Sequence, residues 1–251
     1  MANRRVHFRM CLATALVVAG GCLLPCLAQD VPSTPVQSTP GTAASNSVLN
    51  VEAHGISKFV EADYIDLSKI ASISKFRSGE GHDYSDDFES CRSMKHYFKP
   101  QADIDWAAVK VFAPVTGVIV RMEEEWAGTK LDIQVDKFPA FIVSIFHVKL
   151  LAALRPDDNV SAGQNLGSHI GKQTYSDVAV SVHTPKGRKL VSYFDVMSAR
   201  VFQEYRARGM ASRDVAIISK EMRDADPLSC QGGKFTSRSH GQDWIVLSKP
   251  R

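Results

Sequence analysis

Long apolar runs are almost missing from this 251-residue chain, and outside its first 28 residues none approaches the roughly 18 residues that a membrane helix requires. There is no block of Lys and Arg and no excess of one charge. The 30 basic residues outnumber the 27 acidic ones only through Arg4, Arg5 and Arg9, which lie in a segment without an acid, so the rest of the chain carries 27 of each. A balanced chain without a basic patch argues against nucleic acid as a partner. There is no internal repeat. Cysteine is sparse too: of five, Cys11, Cys22 and Cys26 fall in the first 28 residues, leaving Cys91 and Cys230.

The start of the chain is built as an export signal. "MANRRVHFR" is a basic leader, "MCLATALVVAGGCLLPCLA" is an apolar run, and small residues place a cleavage site after Ala28. Gly20, Gly21 and Pro25 interrupt the run, which argues against a retained span. "VAGGC" offers a second reading, a lipid anchor at Cys22. Residues 29–47 are rich in Pro, Ser and Thr, so a disordered linker is expected over residues 29–50, with one domain from 51 to 251. In an oxidising compartment two cysteines suggest one disulfide, the alternative being two separate thiols.

The centre of the domain reads as strands. "AAVKVFAP", "TGVIVRME", "LDIQVD" and "AFIVSIFHV" are β-branched or alternating runs separated by turn-like breaks, which predicts consecutive antiparallel strands. "DVAVSVHTP" and "KLVSYFDVM" flank "KGR" as a hairpin. Helical spacing predicts two helices after that, over 195–209 and 212–226.

Chemistry-bearing side chains crowd into "GHDYSDDFESCRSMKHYFKP", residues 81–100, where His82 and Asp86 stand in an H-x-x-x-D spacing that some zinc sites use. A hydrogen-bonded polar loop has the same composition. "EEEW", residues 123–126, reads as a solvated strand end. Asp136 and Lys137 before "FPA" suggest a lipoyl carrier only in the wrong order relative to the A-P-x-x-G-x-V strand.

Five stretches in order, "FRSGEGHDYSD", "VFAPVTGVIV", "FIVSIFHVKL", "DDNVSAGQNLGSHIG" and "SDVAVSV", resemble the lysostaphin- or LytM-type zinc endopeptidases that cut peptidoglycan. The resemblance covers residues 74–183. It implies a mainly β fold, a LytM-like antiparallel sheet of the duplicated hybrid motif type, carrying an insertion and two C-terminal helices. It also implies that His82 and Asp86 match two zinc ligands and that His147 matches a histidine that helps activate water. The fifth stretch departs from the pattern. Asp177 stands where a catalytic histidine is expected and Ala179 where the third zinc ligand is expected, and a catalytic zinc normally needs three protein ligands. A further 26 residues separate Asp86 from Ala113, longer than the family's connection. His96, His169, Cys91 or Asp177 would have to supply the missing ligand, since His183, though on the same strand face, lies roughly 13 Å from Ala179 along the strand.

Two functions follow from the resemblance. One is an exported, secreted or periplasmic, catalytically impaired protein that binds peptidoglycan or regulates a cell-wall hydrolase, without a cofactor. The other is an active zinc metalloendopeptidase with an unusual third ligand, in which His147 and Asp177 would serve catalysis.

Overall fold

The structure is a computed structural model that describes residues 47–151 and 153–249. The export signal, the Cys22 anchor and most of the linker lie outside the described residues. Among those described, no helix is long and apolar enough to cross a membrane.

A short helix α1 (Val51–His54) leads into β1 (Ile70–Ser74) and β2 (His96–Pro100). Then follow β3 (Lys110–Phe112), β4 (Gly117–Glu124), β5 (Thr129–Val135), β6 (Phe141–Leu150), β7 (Asn159–Val160), β8 (Asn165–His169), β9 (Ser176–Thr184) and β10 (Gly187–Val191). Helices α2 (Tyr193–Val196), α3 (Ala199–Ala207) and α4 (Lys220–Ala225) precede the small strands β11 (Cys230–Gln231), β12 (Lys234–Phe235) and β13 (Trp244–Val246). The main sheet runs β13-β1-β2-β9-β6-β5-β4-β7, with β10 paired to β9 and β8 bridging β3 and β6. Every pairing between these strands is antiparallel.

The period-2 rule explains how β9 carries both core and site. Val178, Val180 and Val182 point into the main apolar core, whereas Asp177, Ala179 and Ser181 point to the opposite face. Strand β6 begins the same way, with Phe141, Val143 and Ile145 in the core. The alternation then breaks. The β5–β6 register shifts between Thr129 and Leu131, and His147 takes a left-handed φ of 63°, so that Phe146 and His147 both reach the face opposite the core. A bulge of this kind re-aims one side chain without ending the strand.

Three sequence expectations need correction. Strand β3 pairs with β8, not with β4, so the expected four-strand meander contains β4, β5 and β6 only. The helix expected over 195–209 is split: Val196 O accepts from the amides of Phe59 and Val60, and the Ser198 hydroxyl caps a new helix by accepting from the Val201 amide. The helix expected over 212–226 shrinks to α4 and a single turn at Asp214–Ala216. There the "VAII" run is drawn out beside Phe76, whose amide donates to Ala216 O and whose carbonyl accepts from Ile218. Tertiary pairing outweighs helical spacing in a β-branched stretch.

The tail folds back on the insertion. Cys91 and Cys230, 139 positions apart, form a disulfide. Beside it the Gly79 amide donates to Asp243 Oδ2, and Asp83 N donates to Gly233 O. Arg223, fully buried, donates to the carbonyls of Arg77 and Asp226 and faces Asp243 at 3.4 Å.

Candidate ligand-binding pocket

A cavity of about 540 Å³ opens on the face opposite the core, where the ends of β6 and β9 meet the insertion and the β4–β5 turn. His82, Lys95, Glu125, Trp126, His147 and Asp177 supply its chemistry.

Asp177 is fully buried at the start of β9, opposite Tyr97 of β2. Its Oδ2 accepts from Lys95 Nζ at 2.7 Å, and the Lys95 side chain is only 2% exposed. The ammonium also lies 3.9 Å from the Phe146 ring centre and 4.5 Å from that of Tyr84, so two aromatic faces and one carboxylate replace its hydration. His147 Nδ1 donates to Ala127 O at 2.9 Å, and Nε2 stands 3.3 Å from Asp177 Oδ1. Glu125 Oε2 lies 3.4 Å from His147 Nδ1, too far to share that proton well. Burial raises the Glu125 pKa, with His147 opposing and Asp177 adding to the rise. The turn that carries Glu125 and Trp126 closes on Gly128, at φ 77°, where a Cβ would come within 3.0 Å of the Val148 carbonyl oxygen. Only glycine fits that approach.

His82 lines the pocket at its exposed rim, with Nδ1 2.8 Å from Asp83 O. Burial lowers its pKa, and the Lys95 charge lowers it further. Asp86 is elsewhere. Its Oδ1 accepts from the amides of Phe88 and Glu89 and its Oδ2 from that of Leu190, so both oxygens are committed to backbone. Ala179 is 2% exposed and packs with Phe76, Met94, Phe146 and Leu190. The structure thus brings His82, His147 and Asp177 to one cavity and leaves Asp86 outside it.

Of the alternative ligands only Asp177 reaches in, and its Oδ2 is taken by Lys95. His96 is buried with Nδ1 on Ser74 O and Nε2 on Ser192 Oγ. His169 stacks on Trp106 with ring centres 4.3 Å apart and takes the Gly171 amide on Nδ1. Cys91 is in the disulfide. A zinc ion does not fit this donor set, because an ammonium already sits on the one buried carboxylate and the third-ligand position is in an apolar cluster. Among the described residues no three His, Cys, Asp or Glu side chains form a group that could hold a metal.

The sequence reading missed Lys95, Glu125 and Trp126. "EEEW" is not merely a solvated strand end: Glu125 and Trp126 form a wall of the pocket. An indole beside a carboxylate in a glycine-closed turn was the available signal.

No protein-family model matches the chain, and no curated protein does. Solved structures do show similarity. A glycyl-glycine endopeptidase LytM structure from Ruminococcus gnavus shares 15% identity over 41% of this chain and 43% of its own, with a TM-score of 0.33. This chain therefore spans less than half of that structure's length. The metalloprotease pseudoalterin, from the deep sea, shares 16% identity over 55% of this chain and 73% of its own, with a TM-score of 0.33. A chain of the SpoIIQ–SpoIIIAH pore-forming complex shares 10% over 57% and 92%, with a TM-score of 0.38. Likeness at this level establishes no activity. By the order of its motifs and its antiparallel β architecture, the chain resembles LytM- and lysostaphin-type proteins, with a pocket in which that family's metal-ligand positions are not assembled.

Proposed function

We propose that the mature protein is an exported cell-envelope module that binds peptidoglycan without hydrolysing it, with His82, His147 and Asp177 serving as pocket walls and not as catalytic or metal-binding groups. The observation that carries this reading is the Lys95 ammonium on Asp177. A second cation beside it would meet like charge at short range, and Asp86, the carboxylate of the resembled ligand set, faces away into backbone amides. The pocket keeps polar and aromatic groups suited to a peptide-bearing glycan: Trp126 is 76% exposed at the rim, and Tyr175 stands 43% exposed at the β8–β9 end.

The test is cosedimentation of the purified mature protein with isolated peptidoglycan sacculi, with release of soluble fragments followed in parallel. Binding that weakens several-fold in Trp126→Ala, with no fragments released, is expected. Fragment release that depends on stoichiometric zinc would overturn the reading in favour of a peptidase, and absence of binding would overturn it outright.

A further inference from the structure

The pocket holds more carboxylate than its own donors serve. Asp177 Oδ1 and Glu125 Oε2 are both shut off from solvent, and neither has a hydrogen-bond donor among the described residues. His147 cannot serve both. Its Nδ1–H is spent on Ala127 O, which leaves Glu125 Oε2 without a proton whatever the charge on the ring, and its Nε2 is turned to Asp177 alone. Lys95 is spent on the other oxygen of Asp177. Asp177 is sealed and already carries Lys95, but the Glu125 side chain keeps 23% of its surface exposed in the cavity, so its under-served carboxylate can take a donor from outside. Trp126 follows Glu125 in sequence, is largely exposed, and meets the His147 ring edge-on at 5.8 Å. A carboxylate beside an indole face is the pairing that recognises an alkylammonium, by charge on one side and ring quadrupole on the other. Lys172, exposed on the same cavity, supplies a positive charge for a carboxylate elsewhere on that ligand.

We infer that the pocket recognises a primary ammonium group carried by a peptide, with the Glu125 carboxylate and the Trp126 indole as its receptors. This deepens the peptidoglycan reading, since a wall peptide built on a diamino acid carries such an amine.

The probe is the tripeptide alanyl-lysyl-alanine with a blocked N-terminus, whose single amine is the lysyl side chain, compared by calorimetry with its side-chain-acetylated form. Binding of the amine form at least tenfold tighter than the acetylated form is expected, falling about tenfold in Glu125→Gln, a variant of the same shape, and in Trp126→Ala. Equal binding of the two peptides, no binding of either, or an unchanged affinity in Glu125→Gln with an unaltered unfolding midpoint would overturn the inference. Sacculi separate this result from the parent reading. If native and amine-acetylated sacculi bind equally, amine recognition falls and wall binding stands; if the tripeptide binds and sacculi do not, wall binding falls and amine recognition stands.

Discussion

Lys95 Nζ lies 2.7 Å from Asp177 Oδ2 with both side chains withdrawn from water, in the lining of a cavity where the sequence pattern leads one to look for a metal. The ammonium gives the cavity its one fixed, buried positive charge. Removing either partner strands the other, which typically costs about 3–5 kcal/mol. Lys95→Met and Asp177→Leu are therefore each expected to destabilise strongly, and the double variant Lys95→Met with Asp177→Leu to recover most of the loss. Chemical unfolding of the three variants checks this, and additive losses would show that the two groups do not depend on each other.

Restoring histidines at the two departed positions is expected to fail as a metal-site repair. Ala179 is 2% exposed, and an imidazole forced among Phe76, Met94, Phe146 and Leu190 overpacks the cluster, a change that typically costs about 1–3 kcal/mol. Asp177→His also removes the counter-charge of Lys95. The double variant Asp177→His with Ala179→His should be less stable than the parent and gain no tight zinc binding, as measured by calorimetric zinc titration.

Asp86→Ala is expected to act on folding. Three backbone amides lose their acceptor, including that of Leu190, which ties the insertion to β10. These bonds are exposed or half-buried, so a loss of about 1 kcal/mol is expected, the usual net scale of a hydrogen bond. The unfolding midpoint should fall, while affinity for the amine-bearing tripeptide changes little. A collapse in ligand affinity without a loss of stability would place Asp86 in the site.

The disulfide closes a loop of 139 positions, and the chain-entropy model allows it up to about 5 kcal/mol. Cys91→Ser is expected to lower the unfolding midpoint and to expose the tail to protease near Gly232, without changing the sheet signal in circular dichroism. An unchanged midpoint would show that the tail is held without the bridge, by the β1–β13 pairing and the contacts of Arg223, Gly233 and Asp243.

Two buried groups should push the pH dependence of stability in opposite directions. Burial raises Asp63 to about 7, against the hydrogen bond from Tyr205 and with Glu204 and Asp66 adding to the rise. Its contribution is fully present below about 4 and is lost as pH climbs through 7. Burial lowers His96 to about 4, so its contribution is present above 6.5 and is lost as pH falls toward 4. At 1.36 kcal/mol per pKa unit the effects are on the order of 4 kcal/mol for Asp63 and 3 kcal/mol for His96. Relative to the parent, Asp63→Asn should gain stability as pH rises from 4 to 8, and His96→Gln should gain as pH falls from 7 to 4. Urea midpoints at four pH values give both slopes.

The strand pattern was legible because β4, β5, β6 and β9 alternate or run apolar and are closed by turn residues, and the cysteine count made the bridge legible. The pocket was legible only in part. His147 and Asp177 could be placed because motif order survives in β6 and β9, yet nothing in "IFHV" marks the bulge that turns Phe146 and His147 to one face. Lys95 was illegible for a different reason: it lies in the insertion, where no periodicity constrains the chain, and its partner is 82 positions away. The C-terminal helices were overdrawn because Phe76 and Val60 offer backbone pairing that local spacing cannot reveal.

The central claim is that Lys95, and no metal ion, supplies the positive charge of this pocket. Metal analysis of the mature protein, prepared without chelators and dialysed against metal-free buffer, tests it most directly. The account predicts far less than one zinc per chain in the parent and no more in Asp86→Ala or His82→Ala. One zinc per chain that survives dialysis in the parent and disappears in His82→Ala would contradict it.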